Sequence, residues 1–516
     1  MWILKLIIFV LIAIYKGHSA KILGVFPIPS ISHQVVFRPV MIELAKRGHE
    51  VTVITPDPAF PKGQTPLNFT EIDVHDISYK QWHTFLEEHG NVSDQIKLMT
   101  LVPDLIMKVF EEQLKSFEVK QLINDKNRKF DLLFVESSVR PAIIFSHLYK
   151  IPAISFSSLS GILKMYEMVG AASHALLYPN ILRKRLFNLT LWEKISELRI
   201  HFTLENIFAS HESKEKEMLK RYFGTHIPDF SELEKNIHML FLNVHPIWDC
   251  NRPVPPNVIY LGGLHQKPEK NLPQELKSYL DSSKHGVIYV SFGTNVKPSL
   301  FPPEKLKVFT NVFSNLKYDI LFKWEKDELP GRSPNVKISK WLPQSDLLRH
   351  PNVKLFITQG GLQSTDEALT AAVPLLAIPM LGDQWFNAEQ YVKLKIGKKL
   401  LMENLTEESL SNAIQNILSD NSYRENIIKL RNMMHDQPQT PLERAVWWTE
   451  YVLRHGGALH LQAPAAHMNW TEYYEIKLII LLLGTVLFTT VFILYLLCYI
   501  ISKYNNSNLK VKNKKN

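Results

Sequence analysis

Short apolar and β-branched runs alternate with helix-length segments along this chain, in two separate blocks. In the first block, Ile22–Phe26 is followed by a loop, a helical pattern over Val35–Arg47 and a second run at Val51–Thr55. The alternation resumes in the second block, from Val287–Ser291 to Leu375–Ile378. Strand and helix patterns that alternate in this way indicate βαβ units and parallel sheets. We therefore predict an α/β protein with two facing, Rossmann-like parallel-sheet domains, and the cleft between them is a natural place for a ligand.

A proline-rich stretch from Pro246 to Pro273 separates the two blocks and is interpreted as a linker. The predicted division is a signal peptide at 1–20, a first domain at 21–245, a linker at 246–283, a second domain at 284–455, a juxtamembrane segment at 456–477, a transmembrane helix at 478–501 and a basic tail at 502–516.

Both ends of the chain carry the pattern of a membrane protein. Residues 1–20 combine Lys5, an apolar run and small residues before Ala20, which is typical of a cleaved signal peptide. Leu478–Ile501 contains no charge and is long enough to span a bilayer. The tail after it is purely basic, which predicts a cytoplasmic tail and a lumenal N-terminal part. Its last lysines resemble a dilysine-type retrieval signal, so we expect a single-pass type I protein of the endoplasmic reticulum; a merely solvated tail is the alternative.

The net charge of +9 raises the question of a nucleic-acid partner. The tail holds five lysines and the signal peptide two, with no acid in either, so the lumenal part is nearly neutral and no nucleic acid is expected. Cys250 and Cys498 fall in the lumenal part and the span, and so cannot pair. The predicted glycosylation sites are Asn68, Asn91, Asn188 and Asn404, while the sequon at Asn469 is close to the membrane.

The densest chemical pattern lies within residues 341–384. Signatures of dinucleotide binding, P-loops, serine hydrolases and zinc proteases are absent from the sequence, as is an Asp-x-Asp pair for a metal-bound diphosphate. Leu355–Thr358 is predicted to be a buried strand, after which Gly360 and Gly361 permit a tight turn and close approach of a ligand. A helix is predicted to begin near Leu362, and its N-terminus favours a phosphate.

Side chains around this turn offer further groups for a nucleotide. Trp341 presents a flat face for a base, and Gln344 has a donor and an acceptor for a pyrimidine edge. Glu367 is an acceptor for ribose hydroxyls, and the neighbouring Asp383 and Gln384 suit sugar hydroxyls. Each of these residues alone has an ordinary explanation as a core side chain, turn or helix cap. Only their combination is informative.

Together these residues resemble the signature segment of the UDP-glycosyltransferase family, and the chain is most similar to arthropod membrane-bound members. The resemblance covers most of the chain but is weakest over residues 60–240, which in this family shape the acceptor pocket. The matching groups are Arg47–Val53, Gly262–His265, Ser291–Thr294, Trp341–Gln384, Asp436–Pro438 and Arg444–Val446.

The resemblance implies a GT-B fold, with a UDP-sugar on the C-terminal domain and the acceptor on the N-terminal one. It implies that Trp341 stacks on uracil, Gln344 contacts the uridine and Glu367 the ribose, while Asp383 and Gln384 hold the sugar. The donor-binding residues implied near the diphosphate are Ser291, Gly293, Thr294, Gln359, Gly361, Gln363 and Ser364. Gln359 stands where most vertebrate and plant members have His, so a positive charge near departing UDP is missing.

The acceptor hydroxyl needs a general base, and His33 is predicted to provide it. His33 follows the first predicted strand, whose end faces the interdomain crevice, and it matches the family's Ser-His. The family pairs this base with an Asp after a strand; here Glu136 holds that position. Asp131, at the other end of the strand, is the alternative partner, and Glu136 capping the next helix is the alternative role.

The predicted function is inverting, metal-independent transfer of a hexose, preferably glucose, from a UDP-sugar to a small lipophilic hydroxyl compound. No cofactor is expected beyond the UDP-sugar co-substrate; the lipid bilayer is an expected partner, and a homo-oligomer is left open. UDP-glucuronate is the alternative donor, with Arg252 either meeting its carboxylate or forming a linker salt bridge. A non-catalytic nucleotide-sugar-binding membrane protein is the alternative from another functional class.

Overall fold

The computed structural model describes residues 19–89, 95–162, 164–294 and 296–512. The predicted signal peptide lies almost entirely outside the described residues, and so does the sequon at Asn91. The strands are β1 (Lys21–Val25), β2 (Glu50–Thr55), β3 (Phe69–Asp73), β4 (Leu132–Glu136), β5 (Ala153–Ser157), β6 (Ile237–Leu242), β7 (Val258–Tyr260), β8 (Val287–Ser291), β9 (Asp319–Lys323), β10 (Val336–Ser339), β11 (Val353–Thr358), β12 (Leu375–Ala377) and β13 (Gly397–Lys399).

Helices connect most of these strands. They are α1 (Ile31–Lys46), α2 (His75–His89), α3 (Gln95–Leu114), α4 (Phe117–Asn124), α5 (Ile144–Tyr149), α6 (Met165–Met168), α7 (Leu191–Ser210), α8 (Glu212–Phe223), α9 (Phe230–Leu233), α10 (Gln274–Ser282), α11 (Pro303–Ser314), α12 (Gln344–Leu348), α13 (Leu362–Ala371), α14 (Gln384–Lys393), α15 (Glu407–Ser419), α16 (Ser422–His435), α17 (Pro441–His455), α18 (Trp470–Tyr473) and α19 (Ile476–Lys512).

The first seven strands form one parallel sheet in the order β3-β2-β1-β4-β5-β6-β7. Every residue of β4 and β5 is buried, as expected for strands covered on both faces. Alternate residues of β4 enter opposite cores, with Leu133 on one face and Phe134 on the other.

The remaining strands form a second parallel sheet in the order β10-β9-β8-β11-β12-β13. Tyr289 and Val290 of β8 again enter opposite cores. The core around Tyr289 also contains Leu240 and Trp248 from the first half of the chain, so apolar packing joins the two halves. The predicted α/β class with two parallel sheets is confirmed.

The boundaries between the halves differ from the predicted ones. Strand β7 lies inside the predicted linker and pairs with β6 in the first sheet. Helix α17, predicted as the end of the second domain, packs Ala445 and Val446 into the core beside Phe37 of α1. The predicted domain boundary placed this segment with the second sheet, because local sequence does not show which sheet covers the apolar face of a helix.

Helix α19 is long and apolar enough to cross a membrane over Ile476–Ser507, which is longer at both ends than the predicted span at 478–501. Its apolar side chains are exposed rather than packed against the rest of the molecule. Among the described residues it is the sole helix with these properties, and this agrees with the predicted single span.

Candidate active site

The two sheets each have a point where the strand order reverses, and the predicted site residues gather there. In the first sheet the order reverses between β1 and β4, and in the second between β8 and β11. Loops at the carboxyl ends of such strands diverge in opposite directions and leave a crevice, which is where open α/β sheets bind ligands.

His33 and Glu136 meet at the reversal point of the first sheet. His33 lies in the first turn of α1 after the β1 loop, and Glu136 is the last residue of β4. The His33 Nδ1 and Glu136 Oε1 atoms are 2.6 Å apart. Glu136 is 1% exposed, while the His33 side chain keeps 21% of its surface accessible. The geometry therefore leaves the Nε2 side of the ring to face a reactant.

Glu136 is held by the backbone as well as by His33. Its Oε2 atom accepts a hydrogen bond from the Ile28 N–H at 3.1 Å, so the extra methylene of Glu is accommodated between the β1 loop and the histidine. Asp131 accepts from the Lys21 N–H at 2.7 Å, at the opposite end of the sheet. The alternative pairing of His33 with Asp131 is therefore excluded by distance along the strand, and the carboxylate of Glu136 is engaged by partners other than a helix end.

The reversal point of the second sheet brings together Gln344, Ser364 and Glu367. Gln344 Nε2 donates to Ser364 Oγ at 3.0 Å and to Glu367 Oε2 at 2.7 Å. Tyr289 of β8 donates its hydroxyl to Gln344 Oε1 at 2.9 Å, which fixes the amide orientation. Burial raises the pKa of Glu367, and the hydrogen bond from Gln344 opposes that rise. These polar groups are pre-aligned and suit hydroxyl recognition.

Glycines bring the β8 and β11 loops close to the Gln359 amide. Gly293 has a φ of +78°, and a Cβ there would lie 2.2 Å from Gln359 Nε2. A Cβ on Gly361 would lie 3.4 Å from the same nitrogen. Only a residue without a side chain fits at position 293, for reasons of both φ and space. Ser291 is buried beneath this loop, and Thr294 is exposed at its tip.

Trp341 stands at the edge of the second sheet with 66% of its surface exposed. Lys323, at the end of β9, places its Nζ 4.6 Å from the Trp341 ring centroid and donates to the Gly293 carbonyl at 3.0 Å. Burial lowers the pKa of Lys323. Lys323 is not among the predicted site residues, although a cation that ends an apolar strand at the predicted ligand edge is a recognisable signal in the sequence.

Asp383 precedes helix α14 and faces the start of α13. Its Oδ2 atom accepts from the Leu362 N–H at 3.2 Å and from Asn387 Nδ2 at 2.7 Å. Burial raises the pKa of Asp383 to about 6, against lowering contributions from Asn387 and from the charge of His33. The predicted base is therefore close enough to Asp383 for its charge to contribute to that pKa.

Two predicted donor-binding amides have partners other than those implied by the resemblance. Gln384 Oε1 accepts from the N–H groups of Met380 and Leu381, both at 2.8 Å, and so fixes its own loop. Gln363 Nε2 donates across the crevice to the carbonyls of Ser32 at 3.3 Å and Ser158 at 3.2 Å. In this structure Gln363 links the two halves of the molecule.

Arg252 is engaged away from the crevice residues. Its guanidinium donates to the carbonyls of Ala172 at 2.9 Å and Tyr178 at 3.2 Å, lies 3.5 Å from Asp249, and stacks 3.7 Å from the Tyr166 ring centroid. This arrangement favours the linker salt bridge over a contact with glucuronate.

The glycosylation predictions receive different support from the structure. Asn188 and Asn404 are exposed. Asn68 is half-buried, and its Nδ2 donates to the carbonyls of Ala45 and His49, so a glycan on that nitrogen would replace one of these bonds. The structure therefore argues against Asn68. Across the described ranges, three or more His, Cys, Asp or Glu side chains nowhere gather in a metal-binding arrangement.

Comparison with known proteins shows the family to which this chain is similar. The profile of the UDP-glucoronosyl and UDP-glucosyl transferase family matches residues 20–513. An ecdysteroid UDP-glucosyltransferase of Spodoptera littoralis nuclear polyhedrosis virus is 35% identical over 94% of this chain and 98% of its own length. UDP-glycosyltransferase UGT5 of Dactylopius coccus is 32% identical over 92% of this chain and 91% of its own.

Solved structures agree on the fold. The calicheamicin glycosyltransferase CalG4 aligns with a TM-score of 0.59 at 17% identity, covering 85% of this chain and 99% of its own. UDP-glucose: anthocyanidin 3-O-glucosyltransferase in complex with UDP aligns with a TM-score of 0.56 at 17% identity, covering 85% of this chain and 100% of its own. The predicted GT-B fold is confirmed.

Proposed function

Because the chain belongs to the UDP-glucoronosyl and UDP-glucosyl transferase family and is therefore a UDP-glycosyltransferase, we propose that it transfers glucose from UDP-glucose to a hydroxyl of a small lipophilic acceptor, with inversion at the anomeric carbon. The observation that carries this proposal is the 2.6 Å contact between His33 and the buried carboxylate of Glu136. A histidine oriented in this way is equipped to remove a hydroxyl proton.

The proposed reaction is a single displacement. Glu136 accepts the Nδ1–H of His33, which leaves Nε2 unprotonated and able to take the acceptor proton. The acceptor oxygen forms a bond to the anomeric carbon as the bond from that carbon to the β-phosphate oxygen breaks. UDP leaves with the electron pair, and Glu136 stabilises the imidazolium that results.

The proposed donor subsite is the crevice edge of the second sheet. Trp341 stacks on uracil, Gln344 and Glu367 bind the uridine, and the Gly293 and Gly361 loops with Gln359 meet the diphosphate. Support comes from the aligned hydrogen bonds of Gln344 and from the close approach of the two glycine loops. We propose glucose rather than glucuronate because Arg252 is occupied by its structural partners.

The acceptor is proposed to enter from the N-terminal half. Apolar side chains that include Pro27, Ile28, Trp82 and Ile106 pack around the loop whose Ile28 amide binds Glu136. Apolar walls suit a lipophilic molecule with few hydroxyls. Since several relatives are named ecdysteroid UDP-glucosyltransferases, steroids of that class are the first acceptors we propose to test.

We propose that the enzyme resides in the endoplasmic reticulum membrane with its catalytic part in the lumen, where a role in detoxification fits its substrates. The single apolar helix and the basic tail support this orientation. Lumenal exposure predicts that Asn188 or Asn404 carries a glycan, and a mass shift on deglycosylation of the membrane-bound protein tests it.

The function is tested with the full-length enzyme in microsomes. UDP-glucose and UDP-glucuronate are offered separately against ecdysteroids, other steroids and phenols, and products are identified by mass and by anomeric configuration. The expected product is a glucoside of inverted configuration, formed equally well in EDTA. A glucuronide, a product of retained configuration, or UDP binding without any product would contradict the proposal.

A further inference from the structure

Helix α14 follows Asp383 directly, and several of its residues contact the other half of the molecule. Glu389 accepts from the Leu186 N–H at 3.1 Å. The Lys184 ammonium lies 4.6 Å from the centroid of the Trp385 ring, and Gln390 donates to the Trp248 carbonyl at 3.4 Å. The segment that presents Asp383 is therefore fixed by main-chain and side-chain groups from outside the second sheet.

Trp248 is connected to Asp383 through a single intervening residue, Asn387. Its indole is 2% exposed, and its Nε1–H donates to Asn387 Oδ1 at 2.7 Å. An indole nitrogen is a donor only, so the oxygen of the Asn387 amide must face Trp248. The Asn387 nitrogen then points the other way and donates to Asp383 Oδ2 at 2.7 Å and to the Gly360 carbonyl at 2.8 Å.

The same three side chains border a small gap of about 10 Å³ between the halves, with room for at most one water molecule. Trp248, Asn387 and Asp383 line one cavity, whose other walls include Leu159, Ile181 and Phe386. A carboxylate has about four lone-pair positions. The Oδ2 atom of Asp383 already receives Asn387 and the Leu362 N–H, and these donors hold the carboxylate while capacity remains for sugar hydroxyls.

We propose that Trp248 and Asn387 are positioning residues for the donor sugar, acting through Asp383. This rests on the proposed role of Asp383 in holding glucose. Trp248 anchors the oxygen of the Asn387 amide, and the nitrogen of the same amide holds the Asp383 carboxylate. Without the indole N–H the amide is held through its nitrogen alone, so the Asp383 carboxylate is positioned less rigidly. Recognition of the sugar, but not of the uridine, thereby depends on contact between the two halves.

The test is to change Trp248 to Phe, which keeps an aromatic ring and removes the N–H. The dissociation constants of UDP-glucose and of UDP are measured by calorimetry on the full-length protein in detergent at fixed pH. We expect UDP-glucose to bind about 2- to 10-fold more weakly, the effect of one lost hydrogen bond, with UDP unchanged. The KM for UDP-glucose should rise by a similar factor with little change in kcat.

Trp324→Phe is the matched control, because Trp324 is 1% exposed and its indole donates to the Glu328 carbonyl at 2.9 Å, away from Asp383. Asn387→Ala should weaken UDP-glucose at least as much as Trp248→Phe. The double variant should be no worse than Asn387→Ala alone, because both residues act along one path.

The Asp383→Asn variant distinguishes the proposed sugar-binding role of Asp383 from the proposed positioning role of Trp248 and Asn387. If Asp383→Asn shifts the ratio of UDP-glucose to UDP affinity and Trp248→Phe does not, the positioning role is wrong and the proposed function stands. If Asp383→Asn leaves the ratio unchanged, the sugar-binding role of Asp383 fails and the positioning role with it. Equal weakening of UDP and UDP-glucose by Trp248→Phe would also overturn the proposal, since it indicates a general structural loss.

Discussion

The two halves of the molecule reverse their strand order in the same way but place opposite kinds of side chain at the reversal point. At the end of β1 and β4 lies a histidine bound to a buried carboxylate, His33 with Glu136. Near the ends of β8 and β11 lie Gln344, Gln359 and Ser364, and the one carboxyl among them, that of Glu367, is bound by an amide rather than by a histidine. The shared topology supplies a crevice, while the side chains determine the role we propose for each half: proton removal in the first and nucleotide binding in the second.

The largest expected effect is on the first half alone. His33→Ala should lower kcat by roughly 10²–10⁴-fold, because the acceptor proton loses its base, while the affinity for UDP stays within about twofold. Turnover of ecdysteroid or phenol acceptors and calorimetry with UDP measure the two quantities. His147→Ala, a change of an exposed histidine on α5, is the control. Near-normal turnover by the His33→Ala variant would show that His33 is not the general base.

Glu136→Gln should come next, with kcat reduced roughly 10²-fold. The amide keeps the size of the side chain but cannot stabilise an imidazolium as a carboxylate does. Asp131→Asn is the matched control, since Asp131 bonds the Lys21 amide at the far end of the sheet and should leave kcat unchanged. Loss of activity in Asp131→Asn with retention in Glu136→Gln would reverse the assignment.

The site residues that could be located from the sequence are those that directly follow one predicted strand or lie in one predicted turn. His33, Glu136 and Gly361 each follow a predicted strand, which places them at a crevice edge, while the pairing of His33 with Glu136 was implied by the family resemblance. Continuous apolar runs such as β8 were read with correct bounds because a strand buried on both faces needs no alternation.

Contacts between distant parts of the chain were not predictable in this way. Trp248 meets Asn387 139 residues away, and Gln363 meets Ser32 331 residues away. No periodicity encodes such pairs, because they depend on how the two halves dock. The packing of α17 on the first sheet is of the same kind: its apolar stripe predicts a covered face but not which sheet covers it.

A smaller effect is expected on the second half from Trp341→Ala. Removing the face on which uracil is proposed to stack should cost about 1–2 kcal/mol, or roughly 5- to 30-fold in affinity, for UDP and UDP-glucose alike. The matched control is Trp470→Ala, since Trp470 is 67% exposed, close to the 66% of Trp341, but lies beside the membrane helix. A fall in kcat at saturating donor with unchanged affinity would assign Trp341 to the chemistry instead.

The smallest expected effect is on the pH dependence of UDP-glucose affinity, and it involves both halves. The charge of His33 in the first half contributes to the pKa of Asp383 in the second. Burial raises the pKa of Asp383 to about 6, so its carboxylate forms as the pH rises through that value and is lost as the pH falls below it. A carboxylate accepts sugar hydroxyls more strongly than a neutral acid does. The affinity for UDP-glucose should therefore decrease, by up to about tenfold, between pH 7.5 and pH 5.

This measurement is made in the His33→Ala background, so that the histidine contributes no charge near Asp383 and the donor is not turned over. Tyr391 also faces Asp383, but burial raises its pKa and keeps it neutral throughout this range. Adding Asp383→Asn should remove most of the pH dependence between pH 7.5 and 5. If the dependence persists in that double variant, the titrating group belongs elsewhere, and the two halves are coupled through contacts such as Gln363 to Ser32 rather than through charge.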